Sequence, residues 1–288
     1  IKDDALDFLN QSKEKEAPFF MYLAFNAPHD PRQSPQSFLD RYPLEKIPLP
    51  ENWLPEYPYK NAIGNPITLR DEALAPFPRT PFAIKTHIKE YYAIISHLDE
   101  QIGKILDALE ASGKANNTYI FFTGDHGLSV GKHGLLGKQS MFDHSIRVPL
   151  IMAGPDIPKN KSIDHEVYLQ DIMATSLELG NVTPPPSIEF KSFLSLAKGK
   201  EDMANYPNGI YGAYMDSQRM IRKDGFKLMV YPKIKKILLF DLKNDPLEQH
   251  DISDQNHYKG KVKNLFENLK LLQEKHNDSL DLSGILAL

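Results

Sequence analysis

The stretch TYIFFTGDHGLSVGKHGLLGK (Thr118–Lys138) decides how this chain is read. Its first part, TYIFFT, is an apolar run of strand length. The run ends on an acid and a histidine, Asp125 and His126, then passes glycines at 127, 131, 134 and 137 before Lys138. In sheets flanked by helices, ligands gather beyond the carboxyl ends of strands. Asp125 and His126 therefore stand where a metal or catalytic group is expected. A carboxylate oxygen suits Ca²⁺ or Mg²⁺, and an imidazole suits Zn²⁺ and other transition metals, so the pair alone leaves the metal open. Glycine permits close approach of the backbone to a ligand. A lysine arriving there is a point charge suited to a tetrahedral oxyanion. His133, in the same loop, is a further candidate for substrate contact.

On the N-terminal side, Ile84, Ile88, Tyr91, Ile95, Leu98, Ile102, Ile105 and Leu109 alternate steps of four and three, the spacing of an amphipathic helix. Further upstream, PFFMYLAF (Pro18–Phe25) reads as a strand covered on both faces, and on the C-terminal side VPLIMAG (Val148–Gly154) reads as another. Helices are expected over Asp4–Ser12 and Gln170–Leu179. This alternation argues for an α/β fold, a mostly parallel sheet sandwiched by helices. After VTPPPS (Val182–Ser187) the character changes to short alternating runs, read as an antiparallel sheet, with a last helix over about His257–Asn277. The expected division is residues 1–186 as the α/β domain and 187–288 as a smaller α+β subdomain. His29, in NAPHDP, follows an apolar strand as Asp125 does. It is expected on the same rim, where an imidazole can protonate a leaving oxygen near neutral pH. Asp171 reads as a helix-start residue, and His144 and His165 as structural.

The 288 residues carry 34 basic and 38 acidic side chains, a net charge of 34 − 38 = −4. Neither nucleic acid nor an anionic membrane is expected as a partner, and no apolar stretch approaches a membrane span. Cysteine is absent, which removes disulfides, thiolate ligands and thiol nucleophiles. Twelve of the 22 prolines fall between Pro28 and Pro81. Regular structure is not expected there, and two readings stay open: a functional loop or lid, or a surface excursion that only packs. Trp53, Tyr57 and Tyr59 within it either stack on sugar rings or, as aromatics in such loops more often do, pack the loop itself, and Gln218 and Arg219 are candidate sugar or carboxylate contacts.

PFFMYLAFNAPHDP, IFFTGDHGLSVGKHGLLGKQSMFDHSIRVPLIMAGP and LLFDLKNDPLEQHDIS together resemble the sulfatases of the alkaline phosphatase superfamily, especially bacterial enzymes acting on sulfated polysaccharides. The resemblance implies an alkaline phosphatase-like fold and hydrolysis of sulfate esters by a formylglycine nucleophile with bound Ca²⁺. It implies that Asp125 and His126 are metal ligands and that Lys138 and His29 contact sulfate, with His29 also the proton donor. The family's nucleophile motif, C/S-x-P-x-R, does not occur in this chain. The nucleophile and the remaining Ca²⁺ ligands are therefore expected upstream of residue 1. On this expectation the chain is the C-terminal part of a sulfatase, inactive by itself, with an incomplete Ca²⁺ site. The substrate class implied is a sulfated carbohydrate, and the location of the whole protein periplasmic or secreted. Two other readings stay open: a phosphoester or phosphonate hydrolase of the same superfamily, and a non-catalytic glycan-binding pseudoenzyme.

Overall fold

The computed structural model describes residues 1–200 and 209–286. The chain forms two compact units that interleave along the sequence: residues 1–50, 79–121 and 151–156 in the first, and 51–78, 122–150 and 157–288 in the second.

The first unit is built on helices α1 (Lys2–Ser12), α2 (Gln36–Leu39) and α3 (Pro81–Ala111). Thr80 starts α3 by accepting the Ala83 N–H, and Pro81 follows at the first helical position, where its missing N–H is harmless. Ile105 and Leu109 of α3 bury against Ala5 and Leu9 of α1. Phe19, Met21, Leu23 and Phe25 pack on the same cluster. Their neighbours do not: Phe20 is 77% and Tyr22 82% exposed. The run Pro18–Phe25 thus has the two-residue alternation of a strand. The expectation of a strand covered on both faces is corrected, since the run joins no sheet among the described residues and one side of it faces solvent.

Strands β1 (Ile120–Thr123) and β2 (Leu150–Ala153) pair into a two-stranded sheet. The Thr123 hydroxyl donates to the Pro149 carbonyl at 2.8 Å beside this pair. These strands too are covered less than the apolar runs suggested, with Phe122 43% and Ile151 59% exposed. Each has one neighbouring strand among the described residues, so a two-stranded pair stands where the mostly parallel sheet was expected, and the described residues do not show that sheet.

The second unit centres on an antiparallel sheet of β3 (Ile210–Tyr214), β4 (Gln218–Lys223), β5 (Phe226–Tyr231) and β6 (Lys236–Asp241), in sequential order. Met220 lies opposite Met229, and Met229 opposite Leu238. Alternate residues point to opposite faces. Met220, Met229, Tyr231, Leu238 and Phe240 meet Tyr57, Ile63, Leu135 and Phe142 on one side. Ile221, Leu228, Val230 and Leu239 meet Val262, Leu265, Phe266 and Leu269 on the other. The latter four lie on helix α7 (Lys259–Lys275) at the spacing of one helix face. Helices α4 (Asp143–Ile146), α5 (Asp171–Leu179) and α6 (Leu194–Ala197) complete the unit. The expected antiparallel sheet with a packed helix is therefore present, buried on both faces.

Candidate functional site

The loop after β1 doubles back on itself. Ser129 N–H donates to the Gly137 carbonyl at 2.8 Å, and Gly131 N–H to the Leu135 carbonyl at 2.8 Å. These bonds pair the two limbs of the loop, so Lys138 leaves it at the end where Asp125 and His126 enter. At the entry, Gly127 N–H donates to the Ser145 carbonyl at 2.8 Å. A Cβ on Gly127 would lie 2.0 Å from the His144 carbonyl oxygen, which only glycine avoids. The expectation that these glycines open the backbone to a ligand needs revision here: what comes close at Gly127 is the chain's own main chain.

Asp125 lies at the surface, its side chain 87% exposed. Its Oδ1 accepts the His126 N–H at 3.0 Å, and its Oδ2 lies 3.7 Å from His126 Nε2. His126 Nδ1 is 2.9 Å from the Gly127 carbonyl, a contact in which Nδ1 must donate, so that in the neutral tautomer the lone pair lies on Nε2. One carboxylate oxygen and one imidazole nitrogen therefore converge, a donor pair that one cation can share. Ca²⁺ takes about six to eight ligands, mostly oxygens. Among the described residues no group of three or more histidine, aspartate or glutamate side chains gathers to hold a metal. The pair can supply two donors of such a shell, the carboxylate oxygen the better matched to Ca²⁺ and the imidazole nitrogen the poorer.

Lys138 is mostly buried and its Nζ lies 3.6 Å from Asp71 Oδ2. His29 belongs to the first unit. Its Nδ1 is 3.1 Å from the Asp30 carbonyl oxygen. Asp30 in turn pairs with Arg32 Nε at 3.0 Å, and Arg32 Nη1 is 2.7 Å from His87 Nδ1.

The other two proposed substrate contacts are engaged inside the protein. His133 is buried, its ring stacked on Phe142 with centroids 3.7 Å apart and its Nε2 3.0 Å from the Glu248 carbonyl oxygen. Arg219 is buried too. It forms a bidentate pair with Asp278 (2.5 Å from Nε to Oδ2, 2.9 Å from Nη2 to Oδ1) and donates to the Met215 and Gln218 carbonyls. Both therefore tie parts of the second unit together. Gln218 donates to the Ile63 and Gln139 carbonyls. Tyr57 is buried with its hydroxyl 2.8 Å from that of Tyr231, so it packs the loop and does not stack on a sugar. The signal that sequence reading missed is Asp71-Glu72, two adjacent acids in the proline-rich segment, both buried.

Burial pulls the His133 imidazole down to about 4 from 6.5; the Glu248 carbonyl opposes this and the charge of Lys227 adds to it. Burial also lowers His144 well below its usual value. A histidine held neutral in the fold contributes stability above pH 6.5, lost as pH falls towards 4 while the unfolded chain takes up the proton. For His133 alone the loss is about 3 kcal/mol across that window. The urea midpoint of this protein should thus fall between pH 7 and 4.5, and His133→Gln should remove part of that fall. An equal fall in the variant would show that His133 does not titrate in this window.

Residues 1–182 match the family model described as Sulfatase, and residues 131–275 the one described as N-sulphoglucosamine sulphohydrolase, C-terminal. A protein of Formosa agariphila named sulfatase is 33% identical over 279 residues, covering 94% of this chain and 52% of that protein. The chain spans about half the length of the curated relatives it matches. Among solved structures, the phosphonate monoester hydrolase SpPMH from Silicibacter pomeroyi superposes with a TM-score of 0.83 at 20% identity, covering 97% of this chain and 60% of that one. A structure in complex with its substrate D-glucosamine-2-N,6-O-disulfate superposes at 0.76 with 21% identity, covering 96% and 70%. At these identities the two structures speak for the fold alone.

Proposed function

This chain belongs to the sulfatase family, and from that premise we propose that it forms part of a sulfuric ester hydrolase that removes sulfate from a sulfated glycan. The observation that carries the reading is the closed loop of Asp125–Lys138, which returns a lysine to the end where a carboxylate and an imidazole converge. On this reading residues 1–186 belong to the catalytic α/β domain with a mostly parallel sheet, and 187–288 form the C-terminal subdomain. The whole protein is placed in the periplasm or outside the cell. No helix among the described residues is long and apolar enough to cross a membrane.

Membership of the family implies formylglycine and Ca²⁺ as the usual cofactors. When bound, they supply the nucleophile and the positive charge that polarises it and the sulfate oxygens. Asp125 Oδ2 and His126 Nε2 would contribute two of the metal's ligands. The Lys138 ammonium would hold a sulfate oxygen and balance charge as the S–O bond breaks. His29, its Nδ1 bound to the Asp30 carbonyl, would deliver a proton from Nε2 to the leaving alcohol oxygen. His133 and Arg219, expected as substrate contacts, are read instead as ties within the second unit, because their partners are the Glu248 carbonyl and the Asp278 carboxylate.

The other enzymatic reading left open by the sequence, a phosphoester or phosphonate hydrolase of the same superfamily, is compatible with this fold. One assay separates the two. The complete, formylglycine-bearing protein is offered a panel of sulfated saccharides, an aryl sulfate and an aryl phosphonate. The proposal expects kcat/KM for the best sulfate ester to exceed that for the phosphonate. The reverse order would favour the second reading, and no turnover of any ester would favour a binding module.

A further inference from the structure

Lys138 arrives at its place through a loop, and its side chain has four freely rotating bonds. Something must hold both the main chain and the ammonium if the charge is to sit where a sulfate oxygen will be. The two acids of the proline-rich segment are built to do this. Glu72, fully buried, accepts Leu136 N–H (3.2 Å to each carboxylate oxygen) and Gly137 N–H (2.9 Å to Oε1). One carboxylate thereby pins the two peptide groups just before the lysine. Asp71, also buried, divides its oxygens. Oδ1 is held by Arg70 (Nε at 2.7 Å), while Oδ2 receives Gln139 Nε2 at 3.1 Å and faces Lys138 Nζ at 3.6 Å. Gln139 closes the ring by accepting the Lys138 N–H on Oε1 at 3.1 Å.

The glycine before the lysine follows from this packing. A Cβ at Gly137 would lie 2.6 Å from Gln139 Oε1, 2.9 Å from Asp71 Cβ and 3.2 Å from Glu72 Oε1. Burial opposes the Asp71 charge, but the hydrogen bonds from Gln139 and Arg70 and the charge of Lys138 together hold its carboxyl below the usual aspartate range. Asp71 therefore stays anionic at neutral pH and keeps its pull on the ammonium.

We propose that Asp71, with Glu72 behind it, is the positioning residue of the sulfate-binding lysine: the Asp71–Gln139–Lys138 ring aims the Lys138 ammonium, and Glu72 fixes the backbone that carries it. The proposal rests on the reading of Lys138 as a sulfate contact. It gives the proline-rich segment a task in turnover besides any in substrate choice.

The test is a double-mutant cycle on an aryl sulfate in the complete, formylglycine-bearing enzyme, with Asp71→Asn, Lys138→Ala and the pair. Asp71→Asn keeps the shape of the side chain and is expected to lower kcat/KM by about 10- to 100-fold, mainly in kcat. In the Lys138→Ala background the same change is expected to cost less than about 2-fold, since a residue acting through the lysine has nothing left to aim. A purely structural role would cost the same factor in both backgrounds. Equal factors, or full activity of Asp71→Asn beside a crippled Lys138→Ala, would overturn the proposal and leave the role of Lys138 standing. Full activity of Lys138→Ala would instead overturn the role of the lysine itself. Should Asp71→Asn fail to fold, Gln139→Met carries the same cycle, because it removes the amide that links Asp71 to the lysine. The same non-additivity is expected of it, and additivity would overturn the proposal.

Discussion

Lys138→Ala, in the complete enzyme carrying formylglycine, is expected to lower kcat/KM for an aryl sulfate by about 100- to 1000-fold. The argument is electrostatic. As the S–O bond breaks, charge grows on the oxygens, and a fixed ammonium in a partly dry loop stabilises that charge far more than water would. Lys138 fits that description, being mostly buried and held by the Asp71–Gln139 ring. The fold should survive the change, since the buried Asp71 carboxylate keeps its bonds from Arg70 and Gln139. A thermal midpoint within about 4 °C of wild type, together with the kinetic loss, is the expected pair of results. Activity within a factor of a few of wild type would remove Lys138 from the reaction.

The second large effect lies away from the loop's mouth. Lys227 on β5 is completely buried. Its Nζ donates to the Met141 carbonyl at 3.0 Å, contacts Glu248 Oε1 at 2.6 Å and makes a close ion pair with Asp143 Oδ1. Arg222 adds a second cation, 2.7 Å from Asp143 Oδ2 and 2.5 Å from Glu166. Glu248 Oε2 also accepts the Asp143 N–H at 2.7 Å. Burial pushes the Glu248 carboxyl up in spite of the lysine. Burial works the same way on Asp143, but the charges and hydrogen bonds of Lys227 and Arg222 bring it down. Lys227→Met keeps the volume and deletes the charge, leaving the buried Glu248 and the partly buried Asp143 with one shared cation gone. Breaking such a pair from one side costs about 3–5 kcal/mol, and urea unfolding should show a lower midpoint at unchanged slope. A loss below about 1 kcal/mol would mean that the two acids simply take up protons in the variant.

The fold was legible where a pattern is local. The three- and four-residue spacing from Ile84 to Leu109 lies within α3, and the alternating runs after Gly209 became β3 to β6. At Pro18–Phe25 the structure differs from the expectation, because an unbroken apolar run says nothing about which face finds a partner. There the odd-numbered aromatics found α1 and α3, while Phe20 and Tyr22 did not. The position of Asp125 and His126 just after β1 could be read because an apolar run ends there. His133 and Arg219 could not be placed, because Glu248 and Asp278, which hold them, are 115 and 59 residues away in sequence. Asp71 and Glu72 escaped for the same reason: 68 residues separate Asp71 from Gln139, and no strand end marks that segment.

Because β5 and the turn at Glu248 hold the Met141–Asp143 stretch that follows the lysine loop, damage in the last quarter of the chain will masquerade as a chemical defect. A screen scored only on turnover would file Lys227 beside Lys138. Melting each inactive variant before naming its residue tells a lost reagent from a collapsed support.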